Sequence, residues 1–455
     1  MKQSVYVLQS KSHDMKLRLL SCITVCIVTF YCGAVLAEDV NLGQLNLSTA
    51  DELFRSNNRE LLAAKRMVES AQAGALIAGQ KPNPILSLGL SNLNLNRNQG
   101  NANPGGGNSL TDKTLNSTIQ INQLFERGDK RELRIASAED AIKASKYDLK
   151  DTIRQQRLAL ANAYYDLMLA QESERIQTTN VSLYEKTLQA AELRLDAGDI
   201  AFSDVARIRV DVLRVKNDLR QSMANHQKAQ ANLAYLIGKE KESNSIVATD
   251  TWPSIRQSPN ATDQGNTSSV SFDSKLNQRA DILAAEARMQ QAEQNRRLAN
   301  SLKTRDIDIG VQYQHFPGQG PAVGDNTLGA FVSIPLFSNY QYQGEISRSE
   351  VDFTSALEAK EQIRAAAIGD MTRAQADLNS SIEKVRRFDE QMLGEAQKAA
   401  DAAEFAYQHG AIGVTDLLDS RRILRALQLD AASAHADYAK SLAAWQAATN
   451  TEENP

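Results

Sequence analysis

Read for the spacing of apolar and polar positions, the chain separates into two kinds of segment. In the first, apolar residues recur at threes, fours and sevens: Ile153, Leu160 and Leu167 are a heptad apart, and Leu378, Ile382, Val385, Phe388, Met392, Ala396, Ala399, Ala403 and Ala406 form a sustained seam. That period predicts helices packed on helices, as in a coiled coil. Toward residue 406 the seam turns to alanine, which serves either a tapering tube of closely approaching backbones or a uniform core. In the second kind, short runs alternate: Ile85-Leu86-Ser87-Leu88-Gly89-Leu90, Thr118-Ile119-Gln120-Ile121, Ile307-Asp308-Ile309-Gly310-Val311 and Ala330-Phe331-Val332-Ser333-Ile334. Period two predicts four strands, and the Gly-, Asn- and Pro-rich stretches 92–116 and 316–327 join them as two hairpins, with 98–108 as an exposed loop tip.

The nine prolines leave 105–252 and 336–454 free of proline. A proline inside a helix costs about 3 kcal/mol, so these gaps permit very long helices. The chain also repeats itself. Leu124-Phe125 recurs as Leu336-Phe337, Gly198 as Gly410 and Asp204 as Asp416, each 212 residues on, and Arg66-Met67 recurs as Arg288-Met289 and Lys81 as Lys303 at 222. Each half is expected to run as a helix of about 33 residues, a hairpin, a helix of roughly 65–70, a tight turn at Gly198 or Gly410, and a returning helix of about 35. The layout is then a leader over 1–37, a first repeat over 38–238, a Ser/Asn/Thr/Gly-rich linker or small girdle over 239–274, and a second repeat over 275–455.

Composition narrows the class. Aromatics make up 5% of the chain and mean hydropathy is −0.41, which excludes a bundle of apolar spans and argues against a large single-chain barrel with full aromatic girdles. The one long apolar stretch, 17–37, follows Lys16 and Arg18 and ends Val35-Leu36-Ala37, as a secretory signal peptide cut after Ala37 does; translation starts at Met1 or Met15. Cys22, Cys26 and Cys32 all lie inside it, so the mature chain has no disulfide or thiolate chemistry. Four of 51 basic and one of 55 acidic residues fall in 1–37, leaving a formal −7 and no basic footprint for nucleic acid. His226, His315, His409 and His435 are scattered, with no metal-spaced pair and no phosphate-cradling glycine loop, so neither an enzyme nor a cofactor is expected. Because open strand edges are not tolerated in lipid, two hairpins close a membrane barrel only if several chains pool their strands.

The segment Arg194-Leu195-Asp196-Ala197-Gly198-Asp199-Ile200-Ala201-Phe202-Ser203-Asp204-Val205 and its counterpart Gly410 with Asp416-Leu417-Leu418-Asp419 resemble the helical turns of the TolC family of outer-membrane efflux channels. Pro82-Asn83-Pro84, Gln123-Leu124-Phe125-Glu126-Arg127-Gly128-Asp129-Lys130-Arg131 and Ile334-Pro335-Leu336-Phe337 resemble its CzcC-type heavy-metal branch, although Asp129 interrupts that branch's Gly-Lys-Arg. The resemblance covers nearly the whole mature chain. It implies a mainly α fold with a small β part, and a homotrimer whose strands close a 12-stranded barrel in outer-membrane lipid above a periplasmic tunnel of long helices. It further implies a periplasmic adaptor protein and an inner-membrane RND-type pump as partners, with metal cations as cargo. Drug efflux, type I secretion and, more distantly, a secreted coiled-coil adhesin are the alternatives.

The resemblance assigns a periplasmic gate to Asp204, Asp416 and Asp419; a spacing of three sets the last two on one helical face, and three chains make a ring of six charges. The family's partner arginine near the second turn is unmatched, because Ile412 occupies its place. Leu195, Ala197, Gly198, Ala201, Phe202, Ser203, Val205, Gly410, Ala411, Ile412, Gly413, Val414, Thr415 and Leu417 are expected either to dock the adaptor or pump or simply to make plain turns. Arg127, Lys130, Arg131 and Arg134 follow the second strand as either headgroup contacts or a solvated helical turn.

Overall fold

The computed structural model describes residues 41–91, 116–255, 274–316 and 326–449. The leader, the 98–108 loop tip and the middle of the 316–327 loop lie outside them. Helices and strands follow in the order α1 Leu47–Asn57, α2 Arg59–Ala78, β1 Ile85–Ser91, β2 Asn116–Phe125, α3 Lys130–Asp196, α4 Phe202–Ile237, α5 Ala280–Ser301, β3 Ile307–His315, β4 Asn326–Ser333, α6 Gln343–Arg387, α7 Leu393–Gln408 and α8 Val414–Thr449.

Helix α3 has 67 residues and spans about 100 Å at 1.5 Å per residue. Its counterpart is not continuous. Between α6 and α7, Phe388–Met392 forms one π-helical turn, and the extra residue shifts the seam. Leu378, Ile382, Val385 and Phe388 are buried as expected, but Met392 is 40% exposed while Leu393 packs inward, and Ala400 rather than Ala399 is buried. The first helix of each half is also interrupted. The Asn58 side chain accepts from the amides of Glu60 and Leu61 at 3.0 Å, restarting the helix and splitting the expected 33 residues into α1 and α2. In the second half, one helical turn over 274–277 precedes α5.

The four strands form one antiparallel sheet in the order β1-β2-β3-β4. They run longer than their apolar cores suggest, because the ladder extends through polar residues such as Asn116 and Gln314. The chain after α4 is a packed girdle over 246–252 rather than a free linker. Leu45 donates to the Val247 carbonyl at 2.9 Å, and Tyr164 of α3 donates to the Leu45 carbonyl and to Asp250, both at 2.9 Å. Burial, with the hydrogen bond to the Asp250 carboxylate, pushes the Tyr164 phenol well above its ordinary value. Trp252 stacks between Tyr165 of α3 and His435 of α8, tying the two halves together.

Candidate functional site

The sheet carries the first functional feature. Side chains alternate faces along a strand, so the register sorts them. Leu86 pairs with Ile121, Val311 with Ile121, and Val311 with Ala330; Leu88, Ile119, Tyr313 and Leu328 make the next row. With Leu90, Ile309 and Val332, one face is apolar almost throughout. The other face holds Ser87, Gln120, Gln312 and Gly329 in one row and Gly89, Thr118, Gln314 and Thr327 in the next. Leu86, Leu88, Leu90, Val311, Leu328 and Val332 are each more than half exposed. An uncovered apolar face opposite a polar one is the pattern of a barrel that meets lipid outside and water inside. Strands β1 and β4 each leave one edge unpaired. No described helix is long and apolar enough to cross a membrane.

Below the sheet the basic run resolves into internal partners. Lys130 is buried and donates to the Thr304 carbonyl and to Asp306, both at 2.8 Å. Arg131 donates to the Gly79 carbonyl at 2.7 Å, closing the end of α2. Arg134 grips Glu126 at 2.6 and 2.8 Å, and that hydrogen bond holds the Glu126 carboxyl below its ordinary range despite partial burial. These three side chains lock the sheet to the helices, which corrects both the headgroup and the solvated-turn expectations for them; of the four, Arg127 alone is exposed.

The second feature is the pair of helical turns. Gly198 and Gly410 have φ of +80° and +73°. Each sits in a Schellman closure: Gly198 donates to Leu195 and Asp199 to Arg194, and likewise Gly410 to Tyr407 and Ala411 to Ala406. A side chain at either glycine would meet nothing within 4 Å, so the left-handed backbone, not space, requires glycine. Ala197, Gly198, Ala201, Phe202, Ser203, Gly410, Ala411, Gly413 and Thr415 are exposed, with Phe202 at 66%, while Leu195, Ile412 and Val414 are half-buried. Val205 and Leu417 are fully buried. Both belong to the interior of the helix packing, so neither offers a surface to a partner, a correction to the docking set.

Asp416 and Asp419 are both exposed, flanking the buried Leu417 and Leu418. Asp204 is half-buried in the first turn of α4. The arginines missed in the sequence are here. Arg422 bonds Asp419 at 2.9 Å and approaches Asp211 of α4 at 3.7 Å. Arg207 reaches from α4 to Thr415 at 3.2 Å, beside Asp416. The Asp419–Arg422 spacing of three was the readable signal; Arg207 had none, since its contact spans 208 residues. His409 donates to the Phe405 carbonyl and packs on its ring. Among the described residues no three His, Cys, Asp or Glu converge to hold a metal.

Comparison with known proteins follows the same lines. A family described as "Outer membrane efflux protein" matches residues 52–239 and 272–451. The chain is 26% identical over 384 residues to the pyoverdine export outer membrane protein OpmQ of Pseudomonas putida, covering 82% of this chain and 79% of that one. It is 23% identical over 390 residues to the cobalt-zinc-cadmium resistance protein CzcC of Cupriavidus metallidurans, covering 84% of each. Its fold matches the crystal structure of the outer membrane protein VceC of Vibrio cholerae with a TM-score of 0.70 at 20% identity, over 89% of this chain and 95% of that one.

Proposed function

The chain belongs to the outer membrane efflux protein family, and on that premise we propose that three copies form a passive exit duct for cargo delivered from the inner membrane. Members of this family are channels of the outer membrane with a periplasmic helical tunnel, not enzymes. They assemble as homotrimers and work with an adaptor and an inner-membrane pump. The observation that carries the reading for this chain is the sheet, with one apolar face, one polar face and two open edges. Three such sheets joined edge to edge give twelve strands with no edge left over, apolar toward lipid and polar toward the lumen.

At the other end, the exposed Asp416 and Asp419 of three copies form a ring of carboxylates at the tunnel mouth, with Asp204 nearby. Like charges held close draw cations in, so the ring selects for cations and binds divalents. Arg422, paired with Asp419, is the counterion that restrains it. The turns around Gly198 and Gly410 present Phe202, Ala201 and Ala411 as the docking surface for adaptor or pump.

Metal cations are the cargo this reading favours, on the acidic mouth and the likeness to the cobalt-zinc-cadmium resistance protein. An organic solute is the second reading, favoured by the likeness to a pyoverdine exporter. A deletion strain challenged with Zn, Co, Cd, Ni and Cu salts, and in parallel with siderophores, dyes and antibiotics, separates the two. Sensitivity confined to metals supports the first. The duct itself is tested by SDS-resistant, heat-modifiable migration of outer-membrane extracts; a soluble monomer removes it.

A further inference from the structure

The antiparallel pair α3–α4 is zipped by two rows of residues on each helix, stepping by seven. On α3 they are Leu167, Glu174, Val181, Leu188 and Ala170, Gln177, Tyr184, Ala191; on α4 they are Val212, Leu219, His226, Leu233 and Ile208, Val215, Ser222, Ala229. Every member is apolar except at one level, where all four are polar: Glu174, Gln177, Ser222 and His226. His226 Nδ1 donates to Glu174 at 2.7 Å, which fixes the level. Above it, Leu167, Ala170, Ala229 and Leu233 belong to one hydrophobic cluster; below it, Val181, Tyr184, Ile208 and Val215 belong to another.

The polar level is partly open at the paired Glu174 and His226, whose side chains are 29% and 21% exposed, but its other members are buried and carry atoms without partners. Gln177, Ser222 and, a turn nearer the tip, Asn180 are 8%, 7% and 6% exposed. Gln177 Oε1, Asn180 Nδ2, Ser222 Oγ and His226 Nε2 have no hydrogen-bond partner in the protein. Left dry, each would carry its full desolvation penalty. The set mixes an amide donor, an amide acceptor and a hydroxyl that does both, which suits water and not a cation that needs lone pairs alone.

The second hairpin is interrupted within about one helical turn of the same height. Glu174 and Gln177 lie 24 and 21 residues before Gly198, and Asp389, inside the π-helical turn, lies 21 before Gly410. There too a histidine bridges the helices, His435 Nε2 to Asp389 at 3.1 Å. We propose that the two interruptions form one joint, water-filled in the first hairpin and π-bulged in the second. The distal segments, about 32 Å long at 1.5 Å per residue, turn about it as stiff rods. The joint's consequence at the tunnel mouth rests on the gate reading above; the joint itself does not.

Amide hydrogen exchange on the full-length trimer tests it directly. Residues 175–181, 221–227 and 389–393 are expected to exchange at least tenfold faster than 184–191, 205–215 and 229–237. Even protection along both hairpins overturns the joint. In a variant carrying Glu174→Leu, Gln177→Leu, Ser222→Ala and His226→Leu, exchange over 175–181 and 221–227 should slow to that of its flanks. Unchanged exchange there also overturns it, whereas altered ion selectivity at the mouth bears on the gate reading alone.

Discussion

The ring of Phe331 lies over the bare Cα of Gly310, its directly paired neighbour across β3–β4: a Cβ built on Gly310 would come within 2.2 Å of the ring and 2.9 Å of Asn122 Oδ1. Both residues are on the polar face. The glycine therefore seats an aromatic that would otherwise project into the lumen, much as aromatics cover glycines in designed sheets. Gly310→Val should push the ring off and cost about 1–3 kcal/mol, read as a lower dissociation temperature of the SDS-resistant trimer. An unchanged temperature would mean that the ring has a second seat.

Arg279 is 1% exposed and holds Asp281 at 2.6 Å, the Ala448 carbonyl at 3.3 Å and Asp370 at 3.6 Å. Burial pushes the Asp281 carboxyl up, but the Arg279 hydrogen bond and charge, with Arg154 behind them, outweigh it and leave the carboxyl below its ordinary value. A depressed folded value means that the stabilisation is fully present above the ordinary carboxylate pKa and is lost as pH falls through the lower, folded one. Asp281→Asn should cost about 3 kcal/mol at neutral pH, because it leaves a buried guanidinium short of its partner. In thermal melts the wild type and this variant should converge in acid; parallel curves down to pH 2 would exclude the pair as a source of acid sensitivity.

At the turns, exposure separates two kinds of apolar residue. Phe202→Ser should abolish efflux while the trimer melts unchanged, because a 66% exposed ring contributes little to the fold. Val205→Ser should instead lower trimer stability by about 1–3 kcal/mol. Efflux by a Phe202→Ser strain equal to wild type would take the docking role away from that face.

For the mouth, Asp416→Asn combined with Asp419→Asn should reduce cation selectivity and divalent block in planar-bilayer conductance. Arg422→Ala, which frees Asp419 of its 2.9 Å partner, should move both in the opposite direction. If neither pair of values shifts, these carboxylates do not line the pore.

The strands, the long helices and the turn glycines were legible because each rests on local periodicity or on a single backbone demand, such as the positive φ at Gly198 and Gly410. The π-helical turn was not. Its seam read as unbroken from Phe388 through Met392 to Ala396, since steps of four fit an α-helix as well as an inserted residue does. The fates of Lys130 and Val205 were also hidden: a basic run looks the same whether it faces water or, as Lys130 does, a carboxylate 176 residues away. The split at Asn58 was in principle readable, because an asparagine followed two residues on by Glu60 is a helix start.

The amphipathic sheet also dictates how the molecule comes into being. Its apolar face has no stable place in water, and its two open edges have none in hydrocarbon, so a lone protomer lacks a resting state in either solvent. In the proposed trimer, closing the strand edges and covering the apolar face are therefore coupled to subunit association and to the bilayer. The sheet is then the part of the chain for which folding and quaternary structure are the same reaction.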